Sequence, residues 1–227
     1  MVTIDEQVLA YEASRARIDE LVRDLDEGQL KTTVPCCPAW SVKDLVGHVT
    51  GVLEDRASGR LPTQGTFEAW TDEQVVRHRD QPIAQVLDTW RELPVLPNQD
   101  APTMASLSYD AVTHEHDLLG ALGVAGDRST DSVRVGAVRA TERMGSILAD
   151  SQAPGVLLET EDGERELAGG AAPIGLTTTR YWLMRLVAGR VSRPQAGQLG
   201  WDGDPSPVLL ALFADGFFTL QPVDVPR

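Results

Sequence analysis

Cysteine, aromatic residues and basic residues are all scarce in this chain of 227 residues. Its two cysteines, Cys36 and Cys37, are adjacent, and neighbouring cysteines rarely bond to each other, so a disulfide scaffold is excluded. Aromatic residues make up 5%, so the core must consist mainly of Leu, Val and Ala, which favours helices. Lys and Arg number 20 against 34 Asp and Glu, and this acidic balance argues against binding nucleic acid or an anionic membrane.

Long apolar runs are also missing. No run approaches the roughly 18 residues that a membrane-spanning helix requires. The chain starts Met-Val-Thr-Ile-Asp-Glu, without the basic start and the apolar stretch of a secretory signal. We therefore expect a cytoplasmic protein.

Apolar residues recur at helical spacing through most of the first two thirds of the chain. Four long helices are predicted, at 3–27, 41–57, 103–122 and 130–150. Two shorter pieces are predicted at 71–78 and 82–93, the second ended by Pro94 and Pro97, with loops at 30–40 and 59–70. Four long helices in about 150 residues suit an antiparallel bundle.

The pattern changes at Pro154-Gly155. Strands are predicted at 156–160 and 165–168, joined by a turn at Asp162-Gly163. Two helices, 177–188 and 204–214, and a last strand, 217–221, follow. The predicted fold class is therefore mainly α with an α+β C-terminal part, and the predicted domains are residues 1–152 and 153–227.

Three of the four histidines lie in two helical segments, 41–48 and 110–117. Asp110 and His114 are four residues apart, so they are separated by only about 40° around a helix axis. A second helix alongside can bring His48 to the same point. Two imidazoles and one carboxylate from two helices can hold a divalent metal and leave positions open, so these three residues are candidate ligands.

Each of these features also has an ordinary explanation. A carboxylate four residues from a histidine is common as a pair on a helix surface. The glycines that flank His48, Gly47 and Gly51, indicate either close helix packing or room for a ligand beside a metal. Asp44 also precedes His48 by four residues, but it is predicted to form a capping box with Ser41 instead.

The other polar residues near these segments have different predicted roles. His116 points away from His114 on a helix, so both cannot serve one site, and the pairing with Asp110 favours His114. Asp117 can orient an imidazole as a hydrogen-bond acceptor. Glu115 is predicted to face solvent, and His78, among charged neighbours, to lie on the surface.

Two stretches resemble a known family. Residues 34–48, Val-Pro-Cys-Cys-Pro-Ala-Trp-Ser-Val-Lys-Asp-Leu-Val-Gly-His, resemble the opening motif of the mycothiol-dependent maleylpyruvate isomerase family. Residues 110–118, with Asp-x-x-x-His-x-x-Asp-Leu, followed by Gly-Ala-Leu-Gly, resemble its second motif, usually Glu-x-x-x-His-x-x-Asp. The likeness covers most of the chain and is weaker in the C-terminal part, around Gly189-Arg190 and Trp201-Asp202-Gly203.

The resemblance implies a DinB-like four-helix bundle that binds zinc, followed by a small sterol-carrier-like domain. Carried onto this chain, it implies His48, Asp110 and His114 as ligands, with Asp110 standing where the family often has Glu. It also implies an arginine from the second domain that holds a substrate carboxylate. Arg190 is the candidate, and its rivals are Arg180, Arg185 and Arg193.

The chemistry implied is that of a metal-bound thiolate. A thiol such as mycothiol loses its proton at zinc, or at another divalent metal, and adds to an electrophilic small molecule. If the thiolate leaves again after bond rotation, the protein is an isomerase, and if it stays, the protein is an S-transferase. Cys36 and Cys37 are then structural, and the protein is a monomer or a homodimer.

Two other hypotheses remain at this point. The chain can be a non-catalytic metal-binding, ligand-binding or regulatory protein of the same fold, because fold does not fix function. It can also be a bundle that has lost its metal site.

Overall fold

The computed structural model describes residues 2–63, 66–95 and 100–225. The chain divides into two compact units between Asp127 and Arg128. The predicted fold class is confirmed, since most elements are helices and a small sheet lies in the C-terminal part. The predicted domain boundary at residues 152 and 153 stays a prediction. Gly65 and Pro97, two residues of the predicted loops, lie outside the described residues.

The N-terminal unit is helical apart from one short hairpin. In chain order its elements are α1 (Ile4–Val22), α2 (Glu27–Leu30), β1 (Thr33–Val34), β2 (Cys37–Ser41), α3 (Val42–Ser58), α4 (Phe67–His78), α5 (Ile83–Glu92) and α6 (Ala101–Leu122). Helix α6 packs against α1 and α3, and α3 also packs against α4 and α5. The core between them includes the fully buried Ile18, Leu45, Leu53, Trp90 and Leu118.

Local caps define the two helices that carry the candidate ligands. The hydroxyl of Ser41 accepts a hydrogen bond from the Asp44 N–H, and the carboxylate of Asp44 accepts one from the Ser41 N–H. This confirms the predicted capping box at the start of α3. Gly59 and Gly123 end α3 and α6 with φ of 73° and 66°, a conformation that glycine adopts without strain.

Two predictions in the first 41 residues were wrong in detail. The first helix ends at Val22 and not near Gly28, because Asp26 accepts from the Gln29 N–H and so starts the separate helix α2. The predicted loop at 30–40 contains β1 and β2, which pair antiparallel with an irregular register.

The C-terminal unit combines a four-stranded sheet with helices. Its elements are α7 (Asp131–Ala149), β3 (Val156–Glu159), β4 (Arg165–Ala168), β5 (Ile174–Thr177), α8 (Arg180–Val187), α9 (Arg193–Gly197), β6 (Gly200–Asp202) and α10 (Ser206–Leu212). The strand order is β4-β3-β5-β6, and only the β3–β5 pair is parallel. Helix α7 packs against α8, α10 and β4.

The predicted hairpin around Gly163 is confirmed, but the strand predicted at 217–221 is wrong. The described residues 217–221 form no strand, and Gln221 forms an isolated bridge with Ser192. Residue Thr177, the predicted helix start, instead ends β5, and Thr179 caps α8. No helix among the described residues combines the length and apolarity that crossing a membrane requires.

Candidate metal centre

The three candidate ligands lie together between α3 and α6. Nε2 of His114 is 3.4 Å from Oδ1 of Asp110, and Nε2 of His48 is 3.9 Å from the same oxygen. The ligand atoms of the three residues all lie within 4.8 Å of one another. Both histidines are buried, and the Asp110 side chain is about one third exposed, so the cluster is accessible at one point. Metal ligation by these residues stays a prediction.

The far side of His48 contacts helix α4. Its Nδ1 lies 2.8 Å from Oε1 of Gln74, a residue that the sequence did not single out. Nε2 of Gln74 donates to Oδ2 of Asp55 at 2.9 Å. Trp40, from β2, lies over the His48 ring with the ring centroids 4.8 Å apart. His48 is therefore held from two sides.

Asp117 holds His114 in the same way. Its Oδ2 lies 3.1 Å from Nδ1 of His114, and its side chain is fully buried. The predicted contact between Asp117 and an imidazole is confirmed. A carboxylate on Nδ1 is a common outer partner of metal-binding histidines, since it fixes the ring orientation and leaves Nε2 with its lone pair.

The charges inside the cluster are coupled. Burial acts to raise the pKa of Asp110, but His114 and His48 outweigh it and hold that pKa well below its ordinary value. Burial acts to lower the pKa of His114, but Asp110 and Asp117 outweigh it, and that pKa is raised. Both shifts arise from charge attraction and hydrogen bonding between these carboxylates and the imidazoles.

The three candidate ligand atoms suit a divalent cation. With both Nδ1 atoms facing acceptors, the two Nε2 lone pairs and the Asp110 carboxylate meet as three acceptor atoms. Three acceptors so close repel one another unless a proton or a metal lies among them. Two imidazoles and one carboxylate form a set that zinc binds with a position left open.

Cys37, His114 and Asp117 form a second group of possible ligands within 4.8 Å. In this group Asp117 already contacts Nδ1 of His114, so we assign the contact to orientation of that imidazole. Cys36 and Cys37 form no disulfide bond among the described residues. Both were predicted to be buried structural residues; Cys36 is buried, but Cys37 is only half-buried, so its predicted burial was wrong.

Three predictions about the surroundings can be judged. His78 and Glu115 are both buried, so the predictions of a surface residue and of a solvent-facing residue were wrong. His78 contacts Glu54 across α3 and α4, a contact between helices that sequence spacing does not indicate. A Cβ on Gly47 or Gly51 would lie 3.1 or 2.6 Å from a Cβ of α4, so these glycines provide close helix packing.

Arg190, the predicted substrate-binding arginine, lies in the C-terminal unit after α8. Its Nη1 donates to the carbonyl of Ala188 at 2.8 Å, and its guanidinium lies 5.9 Å from the ring of Phe218. Among the rivals, Arg185 is buried, Arg193 is exposed, and Arg180 pairs with Asp162. The role of Arg190 stays a prediction.

Comparisons with known proteins indicate the family and the fold of this chain. A family described as the mycothiol maleylpyruvate isomerase N-terminal domain matches residues 11–185. Two crystal structures of a mycothiol-dependent maleylpyruvate isomerase, one of them a mutant with a histidine replaced by alanine, have a similar fold. Each has a TM-score of 0.58, and each covers 91% of this chain and 96% of its own, at 15% and, for the mutant, 14% identity. Comparison with curated proteins gave no match. Because the family match extends over most of the chain, this protein belongs to the mycothiol maleylpyruvate isomerase N-terminal domain family.

Proposed function

We propose that this protein is a metal-dependent enzyme that uses a low-molecular-weight thiol, such as mycothiol, to isomerise or conjugate an electrophilic small molecule. The observation that carries the proposal is the meeting of three acceptor atoms, from His48, Asp110 and His114, within 4.8 Å. Membership of the family supports mycothiol as the thiol and maleylpyruvate as the first substrate to test. We expect the enzyme to act in the cytoplasm.

We propose His48, Asp110 and His114 as the ligands of zinc or another divalent cation. When bound, the cation supplies the positive charge that favours the thiolate form of a thiol. The carboxylate of Asp110 would balance part of that charge, and Gln74 and Asp117 would hold the imidazole rings in the orientation that such a cation needs.

The reaction proposed starts with addition of the sulfur to an electron-poor carbon of a conjugated double bond. A C–S bond forms, and the electron pair of the double bond moves toward the neighbouring carbonyl. Rotation about the resulting single bond and expulsion of the thiolate give the isomer, whereas proton uptake by the carbon gives a conjugate. Arg190 is our candidate to hold the substrate carboxylate through its planar pair of donors.

The test is the metal content of the purified protein beside His48→Ala and Asp110→Ala. About one metal per chain is expected in the wild type and much less in both variants. His116→Ala is the matched control, because it removes a buried histidine from the opposite face of α6 and is expected to keep the metal. Circular dichroism checks that each variant is folded.

Turnover of maleylpyruvate with mycothiol, and of a model electrophile with the same thiol, then tests the chemistry. Turnover that requires the metal supports the proposal. A wild type that binds no metal after zinc is added contradicts it. Stoichiometric metal without any thiol turnover supports the non-catalytic metal-binding protein instead.

A further inference from the structure

A buried chain of hydrogen bonds leads away from His48 to a carboxylate. Gln74 links Nδ1 of His48, at 2.8 Å, to Oδ2 of Asp55, at 2.9 Å. Gln74 and Asp55 are 0% and 1% exposed. The other oxygen of Asp55, Oδ1, accepts from Nε of Arg60 at 2.8 Å and forms an ion pair with Nη2 of Arg77 at 2.9 Å. We call Asp55–Gln74–His48 the relay.

The direction of every bond in the relay follows from its far end. A carboxylate that receives two guanidinium groups only accepts hydrogen bonds, so the NH₂ group of Gln74 must face Asp55. The carbonyl of Gln74 then faces His48, and a carbonyl only accepts. Nδ1 of His48 must therefore carry the proton, which leaves the lone pair on Nε2, the atom that faces Asp110.

Packing prevents Gln74 from leaving this position. A Cβ on Gly51 would lie 2.6 Å from Cβ of Gln74, so α3 and α4 touch at this point and the side chain has little room. Gln74 is fully buried, and among the described residues its amide hydrogen-bonds to His48 and Asp55. The amide can reverse its two ends, but it cannot exchange its partners for water.

We propose that Asp55, acting through Gln74, sets the tautomer of His48 and so makes its Nε2 available to a metal. Asp55 and Gln74 are positioning residues of the metal centre, and their effect on metal binding rests on the proposed function. Their effect on the tautomer does not, because it follows from hydrogen-bond direction alone.

Asp55→Asn reverses the relay without touching His48. The new amide keeps its oxygen toward the two arginines and turns an NH₂ group toward Gln74. The amide of Gln74 then reverses, donates to Nδ1 of His48 and moves the imidazole proton to Nε2. We expect ¹⁵N NMR of the metal-free protein, at a pH where imidazoles are neutral, to show this tautomer exchange. Metal affinity is expected to fall about 10- to 100-fold.

Adding Gln74→Glu to Asp55→Asn restores the original direction. The carboxylate at position 74 accepts from both Nδ1 of His48 and the new amide at position 55. We expect the double variant to regain the wild-type tautomer and most of the metal affinity. Gln74→Met, which keeps the volume but removes both bonds, is expected to give a mixture of the two tautomers, so the proposal remains testable if one variant fails to fold.

Arg60→Met is the matched control for a merely structural role. It removes one donor from Oδ1 of Asp55 but leaves the bond from Gln74 to Oδ2, so the His48 tautomer is expected not to change. Retention of the wild-type tautomer in Asp55→Asn would overturn the relay. A tautomer that switches in a protein that binds no metal would support the relay and contradict the proposed function.

Discussion

The guanidinium of Arg17 donates to both carboxylate oxygens of Glu115, at 2.6 and 2.9 Å. This pair joins α1 to α6, one residue after the candidate ligand His114. The Glu115 side chain is 5% exposed and that of Arg17 is 35% exposed, so the carboxylate depends on this partner while the arginine also reaches water.

Glu115→Gln is therefore expected to destabilise the protein. The substitution replaces one of the two carboxylate oxygens that accept from Arg17 with an NH₂ group in a buried position. This is expected to lower the free energy of unfolding by about 1–3 kcal/mol. Urea denaturation of the metal-free protein measures this change. Glu12→Gln is the control, because Glu12 pairs with Arg15 at 40% side-chain exposure, and its effect is expected to stay within about 0.5 kcal/mol. Equal losses in the two variants would contradict the assignment.

Two helical glycines are expected to respond in opposite ways to alanine. Gly51→Ala places a Cβ against Gln74 and is expected to cost about 1–3 kcal/mol of stability and to weaken metal binding. A Cβ on Gly120, in α6, would have no neighbouring atom within 4 Å among those considered. Gly120→Ala is therefore expected to stabilise the protein by about 0.5–1 kcal/mol. Thermal denaturation with and without metal measures both, and a harmless Gly51→Ala would show that α3 and α4 do not touch as described.

Asp117→Ala is expected to weaken metal binding although Asp117 is not a proposed ligand. Without its carboxylate, Nδ1 of His114 loses the acceptor that orients the ring, and affinity is expected to fall about 10- to 100-fold. Competition with a chelator measures the affinity. Asp44→Ala is the control, since it removes a carboxylate four residues before His48 that caps α3 and pairs with Arg79 at 3.5 Å. Loss of metal in Asp44→Ala would mean that the ligand set is different.

Metal affinity is expected to rise with pH. The raised pKa of His114 means that the metal-free protein keeps a proton on this imidazole to a higher pH than an ordinary histidine does, and the metal must displace that proton. Affinity should then increase by about tenfold per pH unit until the pH exceeds that pKa. Calorimetry in buffers of different ionisation enthalpy counts the released protons, and a constant affinity from weakly acidic to weakly alkaline pH would contradict the shift.

The same raised pKa of His114 predicts that the stability of the metal-free protein falls as the pH rises, whereas its metal affinity increases. His114 binds its proton more tightly in the folded than in the unfolded chain, so its contribution is fully present below the unfolded value of about 6.5. That contribution is lost as the pH rises through the folded-state pKa. Urea denaturation of the metal-free protein across this range checks the sign.

What the sequence predicted correctly at the site depends on local spacing. Asp110 and His114 share a helix face because they are four residues apart, and Ser41 starts α3 because its side chain caps that helix. Residues defined by contact between helices were missed or misjudged. Gln74 and Glu115 owe their roles to α3 and to α1, and no periodicity within one segment reports such neighbours.

The same distinction applies to the C-terminal strands. The hairpin around Gly163 was predicted because an adjacent Asp-Gly turn marks it. Strand β5 was missed because it pairs in parallel with β3, across the whole intervening hairpin. A parallel partner is not joined to its strand by a tight turn, so no turn residues next to β5 indicate the pairing.

Trp40 gives the proposed metal site an optical reporter. Trp40 is one of five tryptophans in the chain. The centroid of its indole ring lies 4.8 Å from that of the His48 imidazole. A protonated imidazole quenches the fluorescence of a neighbouring indole, so a change in the protonation or metal coordination of His48 is expected to change the emission intensity of Trp40. Titrating zinc into the protein while recording intrinsic fluorescence, with Trp40→Phe as the blank, would thus follow occupation of the site without any added dye.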